Sequence, residues 1–300
     1  MTPARALSGR AFATLLLVAL MMGANHVAAR IAFGNGVDVA TAVVFRSAIT
    51  ACVIVAILAA QGVRARFSAR HKRMLLLIGL LIGVQSLCLY SAVARLPVAL
   101  ALLAFNTYPL WIALWARLIY RQRPERALLL AMPVILLGLA LALDVLGSAS
   151  GLGAAGQWAG IGAGVSFALA AAATFGLAMV VTQQEAAEVD GRVRTATTLT
   201  LAGLVALSMV VGQGGFHLPL AAAGWWGLAA LTALYGTAFT IMFTVLPKLG
   251  VVGNSAIMNV EPVFALVLAW LILGQSVAPV QIAGALLVVA AVMVLGLRKR

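Results

Sequence analysis

The sequence is poor in the residues that proteins use for chemistry. Its 300 residues include only seven Asp and Glu, three His and two Cys, and 9% of the chain is charged. No spacing typical of a metal site, a nucleotide-binding loop or a catalytic nucleophile is present. Cys52 and Cys88 both lie in apolar segments, where a buried thiol is more expected than a disulfide. We therefore expect no catalytic residue, no metal and no cofactor.

The chain is instead rich in long apolar segments. Soluble domains average about 45–50% apolar residues, whereas this chain has 64% and a mean hydropathy of +1.12. A helix of about 20 apolar residues crosses the hydrocarbon of a bilayer. Ten such segments can be read, at residues 11–33, 38–60, 74–94, 98–119, 126–144, 157–181, 195–213, 222–246, 251–273 and 278–297. The sequence therefore predicts an all-α polytopic membrane protein with ten transmembrane helices.

The basic residues indicate how these helices are oriented. Most of the 20 Lys and Arg fall on one side of the predicted membrane when the N-terminus is cytoplasmic. Because cytoplasmic loops carry an excess of Lys and Arg, this pattern places both termini in the cytoplasm. The same distribution explains the formal net charge of +13, which favours membrane lipids as partners and not nucleic acid.

A short motif occurs twice and reveals an internal repeat. The stretches "LAFNTYPLW" (103–111) and "AIMNVEPVF" (256–264) each carry an Asn three residues before a Pro. One offset of 153 positions relates four pairs: Asn106 and Asn259, Pro109 and Pro262, Gly23 and Gly176, Gly83 and Gly236. Each half has five predicted spans, an odd number, so the halves 1–147 and 148–300 are expected to be inverted repeats. Inverted repeats are common in secondary transporters, which bind substrate near the midplane.

The two motifs lie near the centres of predicted spans four and nine. A proline inside a helix removes an N–H donor and disturbs the carbonyl four residues earlier. We therefore expect Pro109 and Pro262 to be hinges, and Asn106 and Asn259 to face a substrate. The alternative is a pair of packing kinks whose amides cap the freed carbonyls.

Three charged or titratable residues lie inside predicted spans. A charge in the membrane interior is costly, so a functional or paired role is expected for Glu261, with Arg46 as its partner. His26 is a third polar candidate. Other interpretations stay open: Arg46 can extend towards the membrane surface or pin helices, His26 can be a packed bundle residue, and Glu261 can serve only to neutralise Arg46.

Aromatic residues are predicted at similar depth and can line an apolar cavity for a small amphipathic solute. The candidates are Tyr90, Tyr108, Trp111, Phe175, Tyr235 and Phe239. Aromatic residues also serve in ordinary helix packing.

The ten spans, the two five-span halves, "FRSA" (45–48) and "MNVEPVFALVLAWLILGQ" (258–275) resemble the drug/metabolite transporter superfamily, in its ten-helix EamA-type branch. The resemblance implies a multi-pass protein of the bacterial inner membrane that exports small metabolites. It favours amino acids, with the bacterial aromatic amino acid exporters as the member type. It also implies a central cavity walled by spans one to four and six to nine.

Several functions remain possible at this point. Transport by alternating access is favoured. This function is compatible with a homo-oligomer. If Arg46 holds Glu261 ionised, that carboxylate cannot carry protons, so facilitated diffusion is favoured over proton-coupled export of drugs or other metabolites. A passive channel would require a ring of like charges or a filter motif. A membrane enzyme acting on lipid carriers would require clustered acids or His at a membrane face.

Overall fold

The structure is a computed structural model that describes residues 9–63, 67–122, 126–147, 151–245 and 260–298. Every regular element in these ranges is a helix. The helices are α1 (Gly9–Gly34), α2 (Val39–Ala60), α3 (Ala69–Arg95), α4 (Val98–Phe105), α5 (Tyr108–Tyr120), α6 (Arg126–Ala142), α7 (Gly153–Glu185), α8 (Gly191–Gly212), α9 (Ala222–Thr244), α10 (Glu261–Leu273) and α11 (Pro279–Arg298).

The helical membrane class is confirmed by the length and composition of these elements. Seven units are long and apolar enough to cross a membrane: α1, α2, α3, the α4–α5 pair, α7, α8 and α9. Three shorter apolar helices lie within α6, α10 and α11, at the positions of predicted spans five, nine and ten. The predicted start of span nine, at residue 251, lies outside the described residues.

Predicted span four is interrupted where a kinked continuous helix was expected. Helix α4 ends at Phe105 and α5 begins at Tyr108. The Thr107 hydroxyl donates to the Ala104 carbonyl at 2.8 Å, which gives a partner to one carbonyl in the last turn of α4. Pro109 lies in the first turn of α5, where a missing N–H costs nothing. The proline therefore begins a new helix after a two-residue break in the predicted span.

Pro262 occupies the corresponding place in α10. It lies in the first turn of that helix, directly after Glu261. The helix is preceded by Val260, whose φ and ψ of −78° and −8° closely match the −71° and −6° of Thr107 before α5. Both prolines thus begin helices in the same way. Asn259 lies outside the described residues.

Equivalent glycines bring equivalent helices together. A Cβ on Gly23 would lie 3.1 Å from both the Glu261 carbonyl oxygen and the Ala265 nitrogen, so α1 packs closely on α10. A Cβ on Gly176 would lie 2.8 Å from Trp111 Cβ and 3.0 Å from the Ile112 nitrogen, so α7 packs closely on α5. Residues 112 and 265 are related by the same offset of 153 as the two glycines. The repeat found in the sequence is therefore also a repeat of contacts.

Helices α2 and α8 run antiparallel, and polar groups join both pairs of ends. At one end, Asp38 caps α2 and accepts a hydrogen bond of 2.9 Å from Gln213, which follows α8. At the other end, Asp190 caps α8 and pairs with Arg192 at 2.8 Å, and Arg192 also donates to Gln61 at the end of α2. These bonds hold α2 and α8 together as one unit.

The Asp38 end of this unit depends on pH. Burial raises the pKa of the Asp38 carboxyl, but hydrogen bonds from Thr41, Gln213 and His217 outweigh it, and the net pKa lies below its usual value. A carboxyl with a lowered pKa stabilises the fold above its unfolded pKa, and this contribution is lost as pH falls through the folded pKa. The bonds are therefore complete at neutral pH.

The repeat predicts opposite effects for two matched substitutions. Arg121 and Gly274 end α5 and α10 in the same left-handed conformation, with φ of 55° and 64°. Gly274→Ala should destabilise the protein by about 1 kcal/mol, because a Cβ is strained there although no atom crowds it. Arg121→Gly should relieve the same strain and raise stability by up to about 1 kcal/mol. Thermal unfolding in detergent measures both, and shifts of the same sign would contradict the repeat geometry.

Candidate substrate-binding site

The centre of the site is the buried guanidinium of Arg46 on α2. Its Cζ lies 4.3 Å from the ring centroid of Tyr90 on α3 and 4.2 Å from that of Tyr235 on α9. Its Nη1 donates to the Tyr90 hydroxyl at 3.3 Å. Arg46 is only 3% exposed, so these cation–π contacts form away from solvent, where they are strongest. Three residues singled out in the sequence therefore meet in one place.

Tyr90 extends this cluster to α1. Its hydroxyl accepts from Arg46 and donates to Asn25 Oδ1 at 2.8 Å, and both Tyr90 and Asn25 are fully buried. The ring of His26 lies 5.5 Å from the Tyr90 ring. Sequence reasoning missed Asn25, although a second polar residue beside His26 in an apolar helix was a signal for it.

Glu261 contacts His26, and the predicted pair between Glu261 and Arg46 is wrong. His26 Nε2 and Glu261 Oε1 are 3.3 Å apart, with side-chain exposures of 2% and 21%. The cause lies in the backbone, because Gly23 lets the start of α10 approach α1 one turn before His26. The Glu261 carboxylate therefore reaches the imidazole on α1, while the guanidinium on α2 contacts tyrosine rings.

A second group of aromatic side chains lies on α4, α5 and α7. The ring centroids of Phe105, Tyr108 and Phe175 are 5.2 to 5.7 Å apart. Leu103 of α4 and Pro262 of α10 border one small cavity, so this group lies beside the helix that carries Glu261. On the other side of the cluster, Phe239 packs on Tyr235 with centroids 4.4 Å apart. The site thus has a polar centre with apolar rings around it.

The remaining predicted residues have separate places. Trp111 stacks on Trp115 at 6.4 Å and presses its Cβ against Gly176, so it packs α5 onto α7. Asn106 is 6% exposed at the end of α4, and its amide nitrogen bonds to no described residue. Since its side-chain nitrogen donates to no described residue, the capping role considered for this amide is not seen at Asn106.

Several buried polar atoms at the site make no hydrogen bond within the described part of the chain. They are Asn25 Nδ2, His26 Nδ1, Arg46 Nε, Ser47 Oγ and Thr50 Oγ1. A buried polar group without a partner costs about 1–3 kcal/mol, and such groups are rare in native structures. Their concentration on α1 and α2 makes this cluster the candidate functional site. Ser47 and Thr50 were missed in the sequence, although they lie one and four residues after Arg46 on the same helix.

The site lies between helices of the two matched halves, and its polar residues are buried against one another. Two cavities in the described residues lie elsewhere. One of about 270 Å³ is lined by Trp270 and Ile282 from α10 and α11, and one of about 20 Å³ borders Pro262 and Leu103.

Removal of one hydroxyl tests the cluster. Tyr90→Phe leaves Asn25 Oδ1 and Arg46 Nη1 without this partner in a buried place, and should cost about 1–3 kcal/mol for each such group. Tyr120→Phe is the matched control, because its hydroxyl donates to Glu185 at 3.2 Å near a helix end. Thermal unfolding of the purified variants should show the larger loss for Tyr90→Phe. Equal losses would contradict the buried network.

Comparison with known proteins places this geometry in a family. No curated protein matches the chain. Sixteen chains of solved structures match, and one crystal structure, at 21% identity, covers 95% of this chain and 97% of its own with a TM-score of 0.61, which shows the fold alone. A model of the EamA-like transporter family matches twice, over residues 9–143 and 162–297, and the two matches begin 153 positions apart. The chain therefore belongs to the EamA-like transporter family, multi-pass membrane proteins of the drug/metabolite transporter superfamily.

Proposed function

We propose that the protein exports small amphipathic metabolites, above all amino acids, across the bacterial inner membrane by alternating access. One observation carries the proposal: a buried cation, Arg46, and a carboxylate, Glu261, lie in one aromatic-lined cluster. An amino acid with an apolar side chain carries the complementary carboxylate and ammonium groups. Few polar contacts in a mostly apolar site suit such a solute.

The proposed movement uses the two halves and their helix breaks. We take residues 1–147 and 148–300 as inverted five-helix repeats with ten spans and cytoplasmic termini. The double family match and the equivalent contacts of Gly23 and Gly176 support this arrangement. The helix starts at Pro109 and Pro262 are the hinges in this proposal, because a helix that begins beside the site can tilt without breaking internal hydrogen bonds.

Counterflow in proteoliposomes tests the function. The purified chain should exchange labelled phenylalanine with unlabelled phenylalanine saturably, and Glu261→Ala should reduce this exchange at least about tenfold, as expected for loss of a charged contact. Glu188→Gln, at an exposed loop residue, is the matched control and should leave exchange unchanged. Absence of counterflow with any amino acid, in protein that unfolds cooperatively, would exclude the proposed substrate class.

Proton-coupled export is the second candidate, and the contact between His26 and Glu261 favours it. Facilitated diffusion was favoured on the premise that a permanent cation holds Glu261 ionised. The structure gives Glu261 a titratable imidazole as its partner instead. A paired imidazole and carboxylate that contact a site between two halves can take up and release a proton.

An imposed pH gradient separates the two candidates. For facilitated diffusion, a pH gradient without a solute gradient should drive no net accumulation of labelled phenylalanine. Uphill accumulation that disappears in Glu261→Gln, while some counterflow remains measurable in the same variant, would establish proton coupling at the His26–Glu261 contact. His26→Gln is the companion variant and should then behave in the same way.

A further inference from the structure

We propose that Arg46 binds the carboxylate of the transported solute, so that carboxylate-bearing solutes are the substrate class of this protein. The inference rests on the proposed transport function and deepens it. It assigns the two charges of the site to different parts of the solute, and it excludes amines and neutral drugs as preferred substrates.

The first step is a charge without a counter-ion. Arg46 is buried, and it forms no ion pair with any carboxylate in the described ranges, where the pairs are those of His26, Arg70, Arg192 and His217. A buried charge is costly unless an opposite charge or strong hydrogen bonds meet it. Glu261, the acid nearest the site, is engaged with His26. A solute anion supplies the missing charge.

The second step is the direction of the hydrogen bonds. Tyr90 gives its own proton to Asn25 Oδ1 and accepts from Arg46 Nη1, so both acceptors near the guanidinium are already occupied. The Arg46 Nε–H and the Asn25 amide N–H remain as donors, and both atoms are buried. Two buried N–H donors without partners among the described residues, one of them on the guanidinium itself, fit an anion.

The third step concerns geometry. The tyrosine rings contact the guanidinium carbon, at 4.3 and 4.2 Å, and Nη1 is bonded to Tyr90. The edge that carries Nε remains available, and guanidinium edges bind carboxylates with paired hydrogen bonds. The Thr50 hydroxyl, one turn after Arg46 on the same face of α2, is a further donor. One carboxylate neutralises one guanidinium, whereas a dianion would bury an excess charge.

The final step concerns the other end of the solute. The ammonium group of an amino acid fits Glu261, the only acid in the cluster formed by the described residues. The aromatic group that includes Phe105 lies on α4, which packs against α10, the helix that begins with Glu261. An amino acid with an apolar side chain would thus contact Arg46, Glu261 and the rings together.

The experiment uses three solutes that share one ring. Phenylalanine has both charges, phenylalaninamide lacks the carboxylate, and 3-phenylpropionate lacks the ammonium group. Inhibition of labelled phenylalanine counterflow gives their apparent affinities in proteoliposomes. Thermal stabilisation of the detergent-purified chain measures binding independently of transport, because a ligand that binds only the folded state raises its stability.

The variants separate a binding role from a structural one. Arg46→Gln removes the charge, and Arg46→Lys keeps it without the paired donor edge. Arg95→Gln is the matched control, because that guanidinium also lies over an aromatic ring, Phe167 at 4.7 Å, but outside the cluster. Thermal unfolding without solute reports whether each variant is folded.

The wild-type protein should bind phenylalanine at least about tenfold more tightly than phenylalaninamide, which lacks the carboxylate. Arg46→Gln should weaken the binding of phenylalanine and of 3-phenylpropionate about ten- to hundredfold, the range expected for a charge-assisted hydrogen bond. It should leave the binding of phenylalaninamide unchanged. The affinity of Arg46→Lys for the carboxylates should lie between those of Arg46→Gln and the wild type. The affinity of Arg95→Gln should match that of the wild type. Equal affinities of the wild type for phenylalanine and phenylalaninamide would overturn the inference, whether or not the Arg46 variants fold.

The outcomes also distinguish the inference from the function on which it rests. If no solute is exchanged but 3-phenylpropionate stabilises the wild type and not Arg46→Gln, the amino acid exporter is excluded and the carboxylate site stands. If phenylalanine is exchanged but the amide competes equally, the exporter stands and the carboxylate site is excluded.

Discussion

Polar side chains inside an apolar helix bundle must be met by other polar groups, and this constraint organises the protein. The chain places Asn25, His26, Arg46, Tyr90 and Glu261 on predominantly apolar helices. Because lipid cannot satisfy them, they converge at one point between α1, α2, α3, α9 and α10. Among the described residues, the same convergence leaves donors of Asn25 and Arg46 without partners. Helix assembly and the proposed solute recognition therefore depend on the same few contacts.

The repeat duplicates the scaffold but not the chemistry. Gly23 and Gly176 make equivalent close approaches, and α5 and α10 begin and end in equivalent conformations. At the site, however, the offset relates Glu261 to Tyr108, His26 to Met179 and Arg46 to Leu199. The polar cluster has no polar copy in the other half. A duplicated backbone can thus keep the symmetry that alternating access requires while it builds a site for an asymmetric solute.

The sequence predicted what depends on pattern and failed where three-dimensional contact decides. Apolar runs predicted the helical membrane class, and the offset between Asn106 and Asn259 predicted the start of the second family match. The pairing of Glu261 was mispredicted, because charge alone pointed to Arg46, whereas Gly23 lets α10 approach α1 beside His26. Asn25, Ser47 and Thr50 were missed, since a neutral polar residue in a span gives a weak signal until its neighbours are known.

The contacts that hold the two equivalent helix starts differ in kind. The first residue of α10, Glu261, is held to α1 by contact with His26. Its counterpart, Tyr108 in α5, packs on Phe175 of α7 with ring centroids 5.2 Å apart. The first contact is polar, whereas the second depends on apolar packing. In the proposed mechanism, a solute bound between Arg46 and Glu261 acts on the start of α10 directly and on that of α5 only through the rings it touches. Under that proposal, the two halves respond unequally to the same solute.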